Sequence, residues 1–209
     1  MTMLRRLLTT TLALLIVVGP PCLFVHAQQR GDEGGASDEV ELLPPTYVSG
    51  EYGFGIALPE GYVAVDYDAD GTWVLEIIGE FDQPTARISA EPLPEDVVDV
   101  GGFWQLMKDR DPLMKRSITY EMVSMVDDSP AVLARIERIE AGDYILAITW
   151  VFVHDAHGFT LSGYPAAGKD FNTARDIALQ VRDQFRWMTE EEIAAFEEQE
   201  LVIPEGEEF

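Results

Sequence analysis

Hydrophobic and polar positions alternate along most of this chain, in short runs. Tyr52, Phe54, Ile56 and Leu58 are separated by Gly53, Gly55 and Ala57, the period of two expected of a strand with one buried face. Pro59-Glu60-Gly61 reads as a turn, followed by a second strand around Tyr62 to Asp66. Asp70-Gly71 has hairpin-turn chemistry and leads into a strand over Thr72 to Ile78, with a fourth predicted over Arg87 to Pro92. From Val97 to Arg116 the period changes. Phe103, Leu106, Met107 and Arg110 share a helical face until Asp111-Pro112 interrupts it, so a helix, a break and a short second turn are expected. Strand patterns return over Ile118 to Val126, Ala131 to Glu140, Tyr144 to His154 and Phe159 to Tyr164. Their separators are short and rich in Asp, Gly, Ser and Pro, which makes successive strands antiparallel.

Phe171, Ala174, Ala178, Val181 and Phe185 recur at helical spacing and predict a helix from about Asp170 to Trp187 whose stripe packs on the sheet. Thr189 and Glu192 form a capping-box pair that opens another, short helix. The order is thus four strands, a helix, four strands and two helices. The fold class this predicts is α+β, an α-β-α sandwich around a large antiparallel sheet.

The N-terminus breaks the pattern. Arg5 and Arg6 precede an apolar run from Leu7 to Val18, Gly19-Pro20-Pro21 ends it, and Val25-His26-Ala27 closes on a small residue. This is the order of a secretory signal peptide cleaved after Ala27. The apolar run is short for a bilayer span, which needs about 20 residues, so stable membrane insertion after cleavage is not expected. Gln28 to Pro45 is rich in Gly, Asp and Glu and ends in Pro-Pro, the composition of a tether. The expected organisation is a signal peptide over 1–27, a flexible acidic linker over 28–46, a folded domain over 47–188 and an acidic C-terminal helix and tail over 189–209. That last segment carries nine acids and no Lys or Arg. The expected location is extracytoplasmic, in the periplasm or the medium.

Charge narrows the classes of partner. The chain has 38 Asp+Glu against 14 Lys+Arg, a net −24, which becomes −26 without Arg5 and Arg6. So acidic a surface repels phosphate backbones and anionic lipid, and nucleic-acid binding is excluded. Lysines are only Lys108, Lys115 and Lys169, a usage expected of a salty habitat or of a GC-rich genome. The single cysteine, Cys22, lies inside the signal. The exported product therefore has no thiol nucleophile, thiolate metal site or disulfide.

Glu51 to Tyr62 (EYGFGIALPEGY) resembles the YGF-x-I-x-x-P-x-G-W opening strand and turn of the PsbP/Mog-like superfamily, with Tyr62 where tryptophan is commoner. Gly158 to Ala166 (GFTLSGYPA) followed by Phe171 to Phe185 is similar to that family's last strand and final helix. The resemblance spans Tyr47 to Trp187 and implies an α-β-α sandwich. The family includes an extrinsic photosystem II subunit, small GTPase-binding proteins and exported bacterial proteins of unknown role, so it implies no single activity and assigns no functional residue here.

Candidate chemistry is sparse. Asp66, Asp68, Asp70 and Gly71 (DYDADG) reproduce the first half of a calcium loop, whose oxygen-rich spacing suits a hard cation. Ile77 stands where the bidentate twelfth-position glutamate belongs, so a polar hairpin tip is expected, with weak calcium binding as the alternative. His154, Asp155 and His157 supply two imidazoles and a carboxylate but lack a further histidine for zinc. Ser162-Gly163 lacks the preceding glycine of a nucleophile elbow, and no dinucleotide or phosphate-loop fingerprint occurs. Phe103-Trp104 and Trp150 are expected in the core rather than around a ligand. The function expected is an exported, non-catalytic domain without a cofactor that binds an unknown protein or small ligand. The alternative is a hydrolase using acidic residues in a cleft, which would show two converging carboxylates.

Overall fold

The computed structural model describes residues 41–79, 84–140, 143–163 and 171–200. The expected signal peptide, most of the linker, Tyr164 to Ala166 and the last nine residues of the tail lie outside them. Among the described residues, no helix is long and apolar enough to cross a membrane.

A seven-stranded antiparallel sheet has the order β3-β4-β5-β9-β8-β7-β6. Its strands are β3 (Val63–Ala69), β4 (Thr72–Ile78), β5 (Pro84–Pro92), β6 (Ile118–Val126), β7 (Ser129–Glu140), β8 (Asp143–His154) and β9 (His157–Gly163). Three of the joins are two-residue hairpin loops in which Asp70, Asp127 and Asp155 adopt positive φ, a conformation that aspartate tolerates better than most residues.

Alternation sends each strand's side chains to two faces, and each face has its own helical cover. On one side Trp73, Leu75, Ile88, Trp150, Phe152, Phe159 and Leu161 meet Ile177, Ala178 and Val181 of helix α3 (Phe171–Gln184). Gly163 allows that helix to seat: a β-carbon there would stand 2.5 Å from Ala178 Cβ and 2.7 Å from the Ala174 carbonyl oxygen. On the other side Phe103 and Trp104 of helix α1 (Val100–Arg110) and Met114 of helix α2 (Pro112–Ser117) pack on Ala134, Ile136 and Val151. The α-β-α sandwich expected of the pattern is the observed architecture.

Asp111 explains why one helix stops and another starts. Its backbone N–H bonds the Met107 carbonyl as the C-cap of α1. Its carboxylate accepts from Leu113 N and Met114 N, both at 3.0 Å, as the N-cap of α2, while Pro112 fills the first turn without needing its own N–H. Thr189 and Glu192 form the reciprocal box that opens helix α4 (Glu190–Glu200): Thr189 N donates to Glu192 Oε2 at 2.8 Å, and Glu192 N donates to Thr189 Oγ1 at 3.3 Å. This bonding lowers the Glu192 pKa below its ordinary value.

Two details depart from the pattern reading. The run from Tyr52 to Leu58 does not join the large sheet. It forms β2 (Phe54–Ile56), paired with β1 (Tyr47–Ser49) on one side. The helix expected to reach Trp187 ends at Gln184, and Phe185–Trp187 become β10, whose Phe185 pairs with Ile56 and Trp187 with Phe54. Phe185 follows Val181 at helical spacing and precedes Trp187 at strand spacing, so both periods fit it locally. The strand wins because it closes a small three-stranded sheet over an aromatic cluster in which Phe54 stacks on Phe185 at 4.9 Å. At the end of the expected linker, Gln184 Oε1 accepts from Leu43 N at 2.9 Å and its Nε2 donates to the Glu41 carbonyl at 3.1 Å.

Candidate functional site

The face covered by α1 and α2 is apolar mainly where those helices lie. Register puts Val74, Ser89, Thr160, Val151 and Val132 in one cross-strand row on this face, with Glu76, Arg87, Ser162, Thr149 and Ala134 in the next. Toward β4 and β5, apart from the buried Val74, the rows are polar, and the polar side chains pair among themselves. Ser89 and Thr160 share a hydrogen bond of 2.6 Å, Thr149 and Ser162 one of 2.9 Å. Arg87 forms an ion pair with Glu76, which also accepts from the Tyr67 hydroxyl at 3.0 Å.

Where this polar floor meets the helices there is a groove of about 290 Å³. Phe103, Met107 and Met114 form one wall, and Ser89 and Thr160 the floor. Arg110 closes the rim, its Nη1 donating to both carboxylate oxygens of Glu91 at 2.7 and 2.8 Å. Gly158 sets the depth: a β-carbon there would lie 2.4 Å from Phe103 Cζ, so the bare backbone is what lets α1 lie close to β9. Two hydroxyls sharing one hydrogen bond retain a donor and several lone pairs between them. Methionine walls adapt to irregular apolar shapes. The arrangement can hold an apolar group over a floor that hydrogen-bonds its polar neighbour.

The sequence candidates lie elsewhere. Asp66 and Asp68 project from β3 to the α3 side, and Asp70 sits in the hairpin at φ 55° beside Gly71 at φ 82°. Asp66 accepts from Trp73 Nε1 at 3.3 Å, and Asp68 accepts from Gly71 N at 3.0 Å. Burial, with Asp66 as a hydrogen-bonding and negatively charged neighbour, pushes the Tyr47 phenol well above its ordinary range. His154 stacks on Trp187 with ring centroids 3.6 Å apart and has Nε2 3.3 Å from Asp155, while the His157 ring meets Tyr52 edge-on at 5.4 Å. Among the described residues, no three His, Cys, Asp or Glu side chains converge as metal ligands would. Phe103, Trp104 and Trp150 are core, as expected, at 1%, 4% and 0% exposure. Phe103 nevertheless also lines the groove, and Trp104 Nε1 donates to Glu121 Oε2 at 2.8 Å.

The helix residues of the groove, Phe103, Met107 and Arg110, read from sequence as one helical face, whereas its floor residues Ser89 and Thr160 stand out only through a weaker signal. In a sheet covered on both faces, every position of a central strand should be apolar. β5 instead alternates Arg87, Ser89 and Glu91 with Ile88 and Ala90, which marks a second face left partly open.

No family model matches the chain, and no curated protein matches it. The structure is similar to the solution structure of cyanobacterial PsbP (CyanoP) from Synechocystis sp. PCC 6803, with a TM-score of 0.49 and 13% identity over 68% of this chain and 90% of that one. It is also similar to a crystal structure of a protein from Bacteroides thetaiotaomicron VPI-5482, with a TM-score of 0.45 and 16% identity over 69% of this chain. The chain spans about half of that protein, 48%. The α+β fold class rests on the sheet order and its two helical layers.

Proposed function

We propose that this chain is an exported, non-catalytic binding domain of PsbP/Mog-like type that takes a segment of a partner polypeptide into the groove between α1–α2 and strands β4, β5 and β9. The observation that carries the reading is the pairing of a Phe103–Met107–Met114 wall with a Ser89–Thr160 floor in one groove. A volume of about 290 Å³ lies at the lower end of what small-molecule sites occupy. It suits one large apolar side chain whose flanking peptide groups reach the hydroxyls. The two carboxylates that line the groove are committed to structure, Glu91 to Arg110 and Asp111 to the first turn of α2. That arrangement supports binding over the hydrolase reading, which needs a carboxyl pair free to move protons. Export rests on the Arg5-Arg6 and Leu7–Val18 pattern, and the mature chain begins at Gln28.

Selection of a displayed random-peptide library against the mature chain tests the groove. The selected peptides carry an apolar anchor and lose binding to a Met107→Lys variant. Peptides that bind wild type and Met107→Lys equally would place recognition elsewhere. N-terminal sequencing of the exported product separately tests cleavage; a retained Met1 contradicts it.

A further inference from the structure

Both ends of the seven-stranded sheet expose apolar side chains, but they differ in charge. Strand β3, at one end, carries Asp66 and Asp68, with Asp70 in the adjoining turn. Charged residues along an outer strand discourage pairing with another chain. Strand β6, at the other end, is nine residues long (ITYEMVSMV) and has one charge, Glu121. That carboxylate is drawn back toward α1, accepting from Trp104 Nε1 at 2.8 Å and lying 3.9 Å from Lys108 Nζ. Tyr120, Met122, Val123 and Met125 remain exposed, Val123 by 80%. Among the described residues, no strand pairs with the outer edge of β6.

We infer that β6 is a self-association edge: two copies of this chain pair β6 to β6, antiparallel, joining their sheets across a twofold axis. Charge selects a second copy and its register. A protein with a net charge of −24 repels itself over most of its surface, so two copies meet only where negative charge is scarce or balanced. Antiparallel pairing about Met122 sets Glu121 opposite Val123, Tyr120 opposite Ser124 and Ile118 opposite Val126 of the second copy. Lys115 is already paired with Asp109 and Asp127 accepts from Trp187 N, but beyond the strand the exposed Arg116 at the end of α2 then comes alongside the second copy's exposed Asp128, and symmetry makes that contact twice. Pairing about Glu121 would place two carboxylates face to face. A slip of one residue in only one strand would turn each apolar face against the wrong side. Unpaired backbone groups supply hydrogen bonds, and the exposed apolar side chains on both faces supply cross-strand contacts.

Sedimentation velocity of the mature chain over the micromolar range tests the inference. The expected result is a dimer that Val123→Lys converts to monomer, with Met125→Lys doing the same. Val65→Lys, on the opposite edge, leaves the dimer intact. Both replaced β6 side chains are exposed, and circular dichroism checks that each variant stays folded. Arg116→Glu sets like charges against the Asp127–Asp128 turn and weakens dimerisation by about tenfold at low salt, with a smaller loss at high salt. A chain that is monomeric throughout the range overturns the inference, as does a dimer that survives Val123→Lys.

Discussion

The ring of Phe103 lies directly over Gly158, with Cζ 2.4 Å from where a β-carbon would stand. This single contact ties the depth of the groove to the seating of helix α1. The close approach of the helix to β9 depends on a residue with no side chain, which lies beside the space that Ser89, Thr160 and the two methionines line.

Gly158→Ala is therefore an overpacking change with backbone consequences. It should destabilise the fold by about 1–3 kcal/mol, as extra carbon in a packed interior generally does. Urea denaturation measures this, and amide shifts in α1 should exceed those in α3. A neutral result would mean that Phe103 moves aside freely.

The opposite layer gives a second contrast. Phe185 is 2% exposed and contacts Phe54, Phe152 and Trp187. Phe185→Ala should cost about 3–5 kcal/mol. Arg182, although outside the apolar stripe, has its guanidinium 5.4 Å from the Trp150 ring. Its removal should cost about 0.5–1 kcal/mol. Equal losses in chemical denaturation would contradict the packing of α3 and β10 as described.

Ordinary tyrosines ionise near pH 10. Burial and the nearby Asp66 carboxylate favour the neutral Tyr47 phenol in the folded chain. Because the folded pKa is raised, this contribution to stability is complete below about pH 10 and declines as pH rises above it. Tyr52 and Tyr67 are also raised, so an alkaline titration followed by tyrosinate absorbance should show a group of late phenols, with Tyr47 the last, and that last component should vanish in Tyr47→Phe. A full complement of tyrosines titrating together would contradict it.

For the Asp66–Asp68–Asp70 turn, the hydrogen bonds from Trp73 and Gly71 account for two of the three carboxylates. Calcium should leave the melting temperature unchanged in calorimetry. Asp68→Asn keeps an acceptor for the Gly71 N–H and should be close to neutral. A saturable, calcium-selective rise in melting temperature that Asp68→Asn abolishes would establish a metal site.

Local chemistry accounts for what the sequence made legible. Strands β4 and β6 have the limits their alternation predicts, Asp111-Pro112 divides α1 from α2, and Thr189 with Glu192 opens α4. Each of these signals lies within a few residues of the structure it specifies. Phe185–Trp187 carries helical spacing locally, and its strand partner, Phe54–Ile56, is remote in sequence, so its strand is not legible there. The groove was hidden for a related reason. Ser89 and Thr160 are polar residues in unremarkable strands until the β5–β9 register places them side by side. Only the polar alternation of β5 hinted that one face was open.

Partner binding in the α1–β5–β9 groove is the function proposed for this chain. Site-specific photocrosslinking in cells that produce the full chain tests it most directly. A benzoylphenylalanine replaces Thr72, at the groove's edge, or Ala195, on α4 away from it. The expected result is a discrete adduct with another polypeptide from position 72, lost when Met107→Lys is added, and none from position 195. Adducts from position 195 alone, or a position-72 adduct indifferent to Met107→Lys, would contradict the assignment.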